Sequence, residues 1–504
     1  MSESENKQIP YVRPDQLRYE QLLPVGLKAK KQKKIFRPSN TGKYSFAADN
    51  KIQLELHGDT FLNARNSYLK FKVSTKGQVY ALNGTTKTHK KVRLDGSAHS
   101  FIRSIVIRSG SRELERISNY SLLHSALADM TLNQDYRASS GSISEGYDDG
   151  RRFQAKALDR FDTDGALATP VPTKAYQNKG PESNEQFVEK MDGVVFSGDE
   201  AGTEHVFCIN ILSGIMQSNR YLPLLSMRGS NGLQLEIELE DPNVCFVDAV
   251  AINNKASSDN TSSTLSTGAV GYTMDQIEYH AETINMGQEF NQGFLNMVLS
   301  QGLQIHCVGY NHNVAHYNGS VEGEHHIGLS HRFRSLKYMF AILRAKGFEN
   351  KIDNNSLTKR LSNNVRSFRY EIGGSKFPEY DVNCQASDNG RFSAESFNQI
   401  ELMTGKLGDR LNSSCFNRYN WMPVLTTKQA TKNNVVDSKF IMGVELETYG
   451  NNNVESGIST ADGAPSMDLV LNGVASGLEC RVDNYACYDF MLNVNPDLTC
   501  SVSF

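Results

Sequence analysis

Six of the chain's 12 histidines fall within one short stretch, at His306, His312, His316, His325, His326 and His331. Imidazoles bind transition metals and titrate near neutral pH, so such a cluster is the first place to look for chemistry. His312 and His316 stand four apart, which on a helix would align them to grip one ion. Their surroundings, Tyr310-Asn-His-Asn-Val-Ala-His-Tyr-Asn-Gly-Ser320, predict a loop, where that spacing loses its meaning. The open readings are polar loop or interface histidines, a metal site, or a contact surface that responds to pH. Asp148-Asp149 and Asp162-Thr-Asp164 have cation-binding side chains but lack the EF-hand pattern, and they read as solvated loop acids. A third group is basic: Lys28, Lys30, Lys31, Lys33, Lys34 and Arg37. Charges packed this densely neutralise phosphates without base specificity and with steep salt dependence. The same run also suits a solvated tail, a contact with an acidic protein surface, or a nuclear-import-like patch.

The common catalytic signatures are missing. The chain has no G-x-x-x-x-G-K-[ST], G-x-G-x-x-G, H-E-x-x-H or G-x-S-x-G. The expectation is therefore a protein without catalytic, cofactor-binding or metal-ligating residues. The alternative is an all-β carbohydrate-binding or hydrolytic protein using the histidines or the 148–164 acids.

The elements that must carry these groups are mostly strands. Residues 233–239, Leu-Gln-Leu-Glu-Ile-Glu-Leu, alternate strictly, the pattern of a strand with one face on a core. Ile52, Leu54 and Leu56 alternate likewise, as does much of Phe61–Val73. Leu336, Tyr338, Phe340 and Ile342 share one parity with Met339, Ala341 and Leu343 opposite, which predicts a strand buried on both faces. Phe368, Tyr370 and Ile372 run into Gly373-Gly374, a hairpin turn signal. Leu123, Ala126, Leu127 and Met130 predict one helix, capped by Ser118 or Asn119, and a second is expected around Phe290–Leu299.

A chain of 504 residues suits two domains of roughly 200–250 residues each. The predicted organisation is a basic arm at 1–43, a first β domain at 44–248 with an insertion at 138–204, a linker at 249–269, and a second β domain at 270–504. Loop insertions are expected near 427–465. The net charge of -3 gives no overall positive field that would draw the whole surface to nucleic acid. No apolar run is long enough to predict a transmembrane segment, and Met1-Ser-Glu-Ser-Glu-Asn-Lys7 is unlike a signal peptide. The eight cysteines show no C-x-x-C pair and read as reduced, buried small hydrophobes, with a Cys480–Cys487 disulfide as the alternative.

Several pieces together resemble a known family. Phe61–Val73, the strand Arg334-Ser-Leu-Lys-Tyr-Met-Phe-Ala-Ile-Leu-Arg344 and the hairpin Ile372-Gly-Gly-Ser-Lys-Phe-Pro378 are similar to double jelly-roll major capsid proteins. The resemblance is to those of virophages and Polinton-like viruses. Gly457-Ile-Ser-Thr-Ala-Asp-Gly463 followed by Met467-Asp-Leu-Val-Leu471 fits the late part of a second roll. The resemblance implies an all-β fold of two tandem eight-stranded jelly rolls with a few short helices. It further implies a homotrimer that forms a pseudo-hexameric capsomer and tiles the icosahedral shell of a dsDNA virus. The implied partners are copies of the chain, penton and minor capsid proteins, and packaged DNA touched non-specifically by the arm. The implied location is the virion, after synthesis in the host cytoplasm and assembly in cytoplasm or nucleus.

Overall fold

The structure, a computed structural model, describes residues 29–147, 194–199, 204–248 and 269–504, except 41, 84, 231, 319–322, 347–348, 353–356, 359, 363–364, 385–393, 408–413, 417–420, 422–436, 449–455, 462–464 and 474–478. Its strands divide into two sets of eight principal members. The first set is β1 (Lys30–Phe36), β2 (Lys51–Leu56), β3 (Phe61–Ser74), β4 (Ile102–Ser109), β5 (Arg112–Ser118), β6 (Glu204–Ile209), β7 (Leu233–Leu239) and β8 (Thr273–Asn285). The second set is β9 (Leu303–Asn318), β10 (Glu324–Gly328), β11 (Leu336–Ala345), β12 (Ser367–Ile372), β13 (Ser375–Asn383), β14 (Met442–Glu445), β15 (Met467–Asn472) and β16 (Glu479–Val494).

In the first half, one sheet runs β1-β8-β3-β6 and the other β2-β7-β4-β5, all antiparallel. The second half repeats the plan, with β9-β16-β11-β14 and β10-β15-β12-β13. Taking the first, eighth, third and sixth strands into one sheet and the second, seventh, fourth and fifth into the other is jelly-roll topology. Short strands extend these sheets, such as Cys500–Ser503 on β16. The same winding twice in one chain defines the class: an all-β double jelly roll.

Alternation produces the sandwiches. β2 and β7 bury every second residue, and their apolar sets meet in register at Leu54 opposite Leu235 and Ile52 opposite Ile237. The first core is dense in aromatics around Phe101, whose ring lies 5.0 Å from Tyr272 and 5.6 Å from Phe246. β11 is buried on both faces, as its two apolar parities predict, and most of β16 beside it is buried as well. The Gly373-Gly374 turn joins β12 to β13 with φ of 58° and 84°, left-handed values that suit glycine.

The boundaries differ from the sequence expectation in two places. Residues 30–36 are no arm: β1 is the first strand of the first roll, paired over its whole length with β8. Its lysines hid this because the strand lies at a sheet edge, where only Phe36 is buried. Likewise 249–269 is no interdomain linker, since β8 follows it and pairs with β3 and β1 of the first roll. The rolls are instead joined by the helix Gln288–Gln301. Residues 1–28, 148–193 and 251–268 lie outside the described residues.

Two helices sit where the sequence predicts them, α1 (Tyr120–Thr131) after β5 and α2 (Gln288–Gln301) joining the rolls, and a third, α3 (Ala394–Met403) after β13, was not expected. α1 and α3 thus occupy the same topological position, each after the fifth strand of its roll and inside the long excursion before the sixth. Asn119 precedes α1 with a left-handed φ of 52° and does not cap it. Its side chain instead reaches the second roll, as described below.

Candidate functional site

The densest chemistry lies in the seam between the two rolls. Asp129, near the end of α1, is 1% exposed and meets three cations. Its carboxylate stands 2.8 Å from Arg137, 2.8 Å from Arg360 and 2.8 Å from Lys439. Arg360 and Lys439 belong to the second half, so one carboxylate of the first roll anchors two cations of the other. Burial alone would raise the Asp129 carboxyl, but Lys439, Arg360 and Arg137 outweigh it and hold the group well below the usual range. The Cys415 thiol donates to the Asp129 carbonyl at 3.4 Å, and Lys406 Nζ donates to the carbonyls of Met130 and Thr131 at 2.9 Å each.

Further bonds cross the same seam. Asp95 accepts from the backbone N–H of Leu357 at 2.8 Å and from the Thr358 hydroxyl at 2.5 Å. Asn119 Nδ2 donates to Asp483 at 3.3 Å, and the Tyr485 hydroxyl donates to the Asn119 carbonyl at 3.2 Å. Within the first roll, buried Glu115 accepts from Ser213 and from the backbone N–H groups of Gly214 and Ile215, and so holds that turn against the second roll. Gly214 lies so close to β9 that an added Cβ would stand 2.4 Å from the Val308 carbonyl oxygen. Buried polar groups satisfied across an interface fix its register, because breaking any of them strands a desolvated charge or donor.

Five of the six clustered histidines lie in strands. His306, His312 and His316 are on β9, not in a loop, and His325 and His326 are on β10. Sixteen consecutive residue pairs tie β9 to β16, from Leu303–Val494 to Asn318–Glu479, and this pairing overrides the local Asn and Gly content. In a strand, four residues span about 13 Å, so His312 and His316 cannot share an ion. His312 instead meets Asp483 at 2.9 Å and stacks on Tyr485, while Asp483 also binds Arg344 at 2.7 Å and Arg481 at 2.9 Å. His306 meets Asp489 at 2.7 Å.

His331 bridges Asn311 at 3.0 Å and Asn484 at 2.8 Å inside the second roll. Burial lowers its pKa to about 4 from the ordinary imidazole value of 6.5; Asn484 opposes that shift and His312 adds to it. The unfolded chain therefore takes up a proton as pH falls through about 6.5, while the native chain does not until about 4. Stability is lost over that window, by up to about 3 kcal/mol at 1.36 kcal/mol per unit. Urea midpoints measured between pH 7 and 4.5 should show this slope, and His331→Gln should flatten it.

The basic run divides. Lys31 pairs with Glu282 at 2.7 Å and Arg37 with Glu278 at 2.9 Å, both across to β8. Lys34 Nζ donates to the His57 carbonyl at 2.9 Å. Lys30 and Lys33 are exposed on the same edge strand, and Lys28 lies outside the described residues. Lysines along a free edge disfavour pairing with a stray strand. Of the acids singled out, Asp148, Asp149, Asp162 and Asp164 all lie outside the described residues. All eight cysteines are free thiols. Cys480 and Cys487 lie seven residues apart on β16, a separation of about 23 Å in a strand, far beyond disulfide reach.

The seam was missed in the sequence, although a signal was present. Tyr-Ser-Leu-Leu-His-Ser-Ala-Leu-Ala-Asp-Met-Thr131 is an apolar helix with His124 and Asp129 set into it. A charged residue in an apolar helix calls for a buried partner.

No protein-family model matches the chain, and no curated protein matches it. Solved structures do. The chain is similar to the Sputnik virophage structure determined by cryo-EM, with a TM-score of 0.56 and 9% identity, over 99% of this chain and 93% of that one. It is similar to the Faustovirus major capsid protein, with a TM-score of 0.50 and 9% identity, over 97% of this chain and 93% of that one. It is also similar to PBCV-1 VP54, fitted into a reconstruction of Sputnik, with a TM-score of 0.50 and 10% identity, over 96% of this chain and 99% of that one. The double jelly roll seen in the strand order is thus the fold of these viral proteins, shared over nearly the whole chain.

Proposed function

We propose that this chain is the major capsid protein of a small double-stranded DNA virus. Three copies form a pseudo-hexameric capsomer, and capsomers tile an icosahedral shell. The observation that carries this reading is the pair of topologically identical rolls in one chain, a fold shared over nearly the full chain with the Faustovirus major capsid protein. Two rigid rolls in one chain make three chains look six-cornered, the geometry that tiles a hexagonal lattice. The work of such a protein is association rather than turnover. Obligate interfaces of this kind bury more than about 2,000 Å² and are more apolar than ordinary surface. Penton and minor capsid proteins are the other partners, and the virion is the location. Lys28, Lys30, Lys31, Lys33, Lys34 and Arg37 are proposed as the contact with packaged DNA or a minor capsid protein, with exposed Lys30 and Lys33 the foremost of them.

Native mass spectrometry of the purified full chain should give three times the mass of one copy, and electron microscopy should show hexagonal outlines. A species that stays monomeric at tens of micromolar would sink the reading.

A further inference from the structure

Three metal-ligating side chains converge in the first roll, away from the clustered histidines. His99 lies in a single helical turn, Ala98–Phe101, His124 in the middle of α1, and Glu145 just after the short helix Ser140–Ser144. One ligand atom from each lies within 4.8 Å of both others. His99 Nε2 stands 3.4 Å from Glu145 Oε2, with the two side chains 2% and 12% exposed. The backbone holds this approach in place, because the Ala98 N–H donates to the Glu145 carbonyl at 2.7 Å.

We propose that His99, His124 and Glu145 bind one divalent transition-metal ion, with zinc the best match to two imidazole nitrogens and one carboxylate oxygen. Three protein ligands and one water complete a tetrahedral zinc shell. Beside the trio lies a cavity of about 20 Å³, lined by His99 and His124 together with Asp95, Ser97, Ser100 and Ser121. That volume holds one water, and the lining supplies polar partners for it. The outer groups also fit. The Tyr120 hydroxyl lies 3.0 Å from His99 Nδ1, and the Tyr136 hydroxyl donates to Glu145 Oε1 at 3.1 Å. Ligating histidines commonly donate their second ring N–H to such a neighbour, which fixes the tautomer that leaves Nε2 for the metal.

The two imidazoles now lie face to face, 3.4 Å between centroids and 13° from parallel, so their lone pairs do not converge. Metal entry turns the His124 ring edge-on toward Glu145, into the adjoining cavity. The nearby cation Arg137 stands 2.8 Å from Asp129, a carboxylate it shares with Arg360 and Lys439, so Glu145 is the carboxylate that balances the ion. A bound ion would tie the turn at 98–101, α1 and residue 145 together, next to the Asp95 contact with Leu357 and Thr358 of the second roll.

The test is zinc binding by the chelator-stripped full chain, read by equilibrium dialysis with elemental analysis. Wild type should retain one zinc per chain at micromolar free metal. His124→Ala and Glu145→Gln should bind at least tenfold more weakly, whereas His316→Ala, at an exposed position on β9, should bind like wild type. Zinc should raise the melting temperature of wild type but not of His124→Ala. Circular dichroism identifies folded variants, and His124→Gln replaces any alanine variant that misfolds. No zinc on folded wild type, or equal zinc on the folded His124 and Glu145 variants, overturns the proposal. This outcome is independent of whether the chain trimerises.

Discussion

Asp129→Ala is expected to cost about 3–5 kcal/mol of folding stability, the range for removing one partner of a buried ion pair. The loss arises because Arg360, 0% exposed at its side chain, keeps its charge while losing the Asp129 carboxylate, and Arg137 and Lys439 lose the same partner. Asp129→Asn preserves the shape and isolates the charge, so it should lose most of the same energy. Urea unfolding should show a lower midpoint with an unchanged slope. The effect should persist in high salt, since screening reaches buried pairs weakly. Its pH dependence has a definite sign. The carboxyl is held below its ordinary value, so the stabilisation is present above about pH 4 and is lost as pH falls through the acid range. A substitution that changed neither midpoint nor acid sensitivity would mean that the seam's charges are solvated.

Phe101→Ala is expected to cost a similar amount, about 3–5 kcal/mol, by a different route. Its ring is fully buried among Phe71, Phe196, Phe207, Phe246 and Tyr272, so truncation opens a cavity that five other rings cannot all collapse to fill. Phe101→Leu, nearer in volume, should cost clearly less. The Phe101 loss should not depend on acid pH, which separates packing from charge. Because polar bonds cross from roll to roll, calorimetry of wild type should show both rolls melting in one transition. A resolved second transition in Phe101→Ala would show that the seam couples them only weakly.

The scaffold was legible wherever one side-chain parity met a core. Residues 233–239 and 336–343 declared both their state and their exposure, since burial of alternate residues is what the pattern encodes. β9 failed by the same logic: its Asn, Gly and His residues are those of a loop, and only the ladder to β16 makes it a strand. β1 failed because an edge strand has little to bury, so its lysines read as a tail. Of the functional groups, the clustered histidines could be seen but not placed. Asp129, Arg360 and Lys439 are far apart in sequence, and only folding brings them together. The roll boundary was misjudged because the eighth strand returns from beyond a polar segment, and composition alone cannot distinguish a loop within a domain from a link between two.

The pairing of β1 with β8 also affects how the protein is made. Arg37 and Glu278 are 241 positions apart, so the first sheet has no neighbour for its edge until the ribosome has passed that point. At 5–20 residues per second the wait is roughly 12–50 seconds, during which apolar faces stand uncovered. A nascent chain in that condition is a natural client for chaperones, and slower translation through the segment preceding Thr273 should lower the soluble yield more than the same delay placed after Asn285.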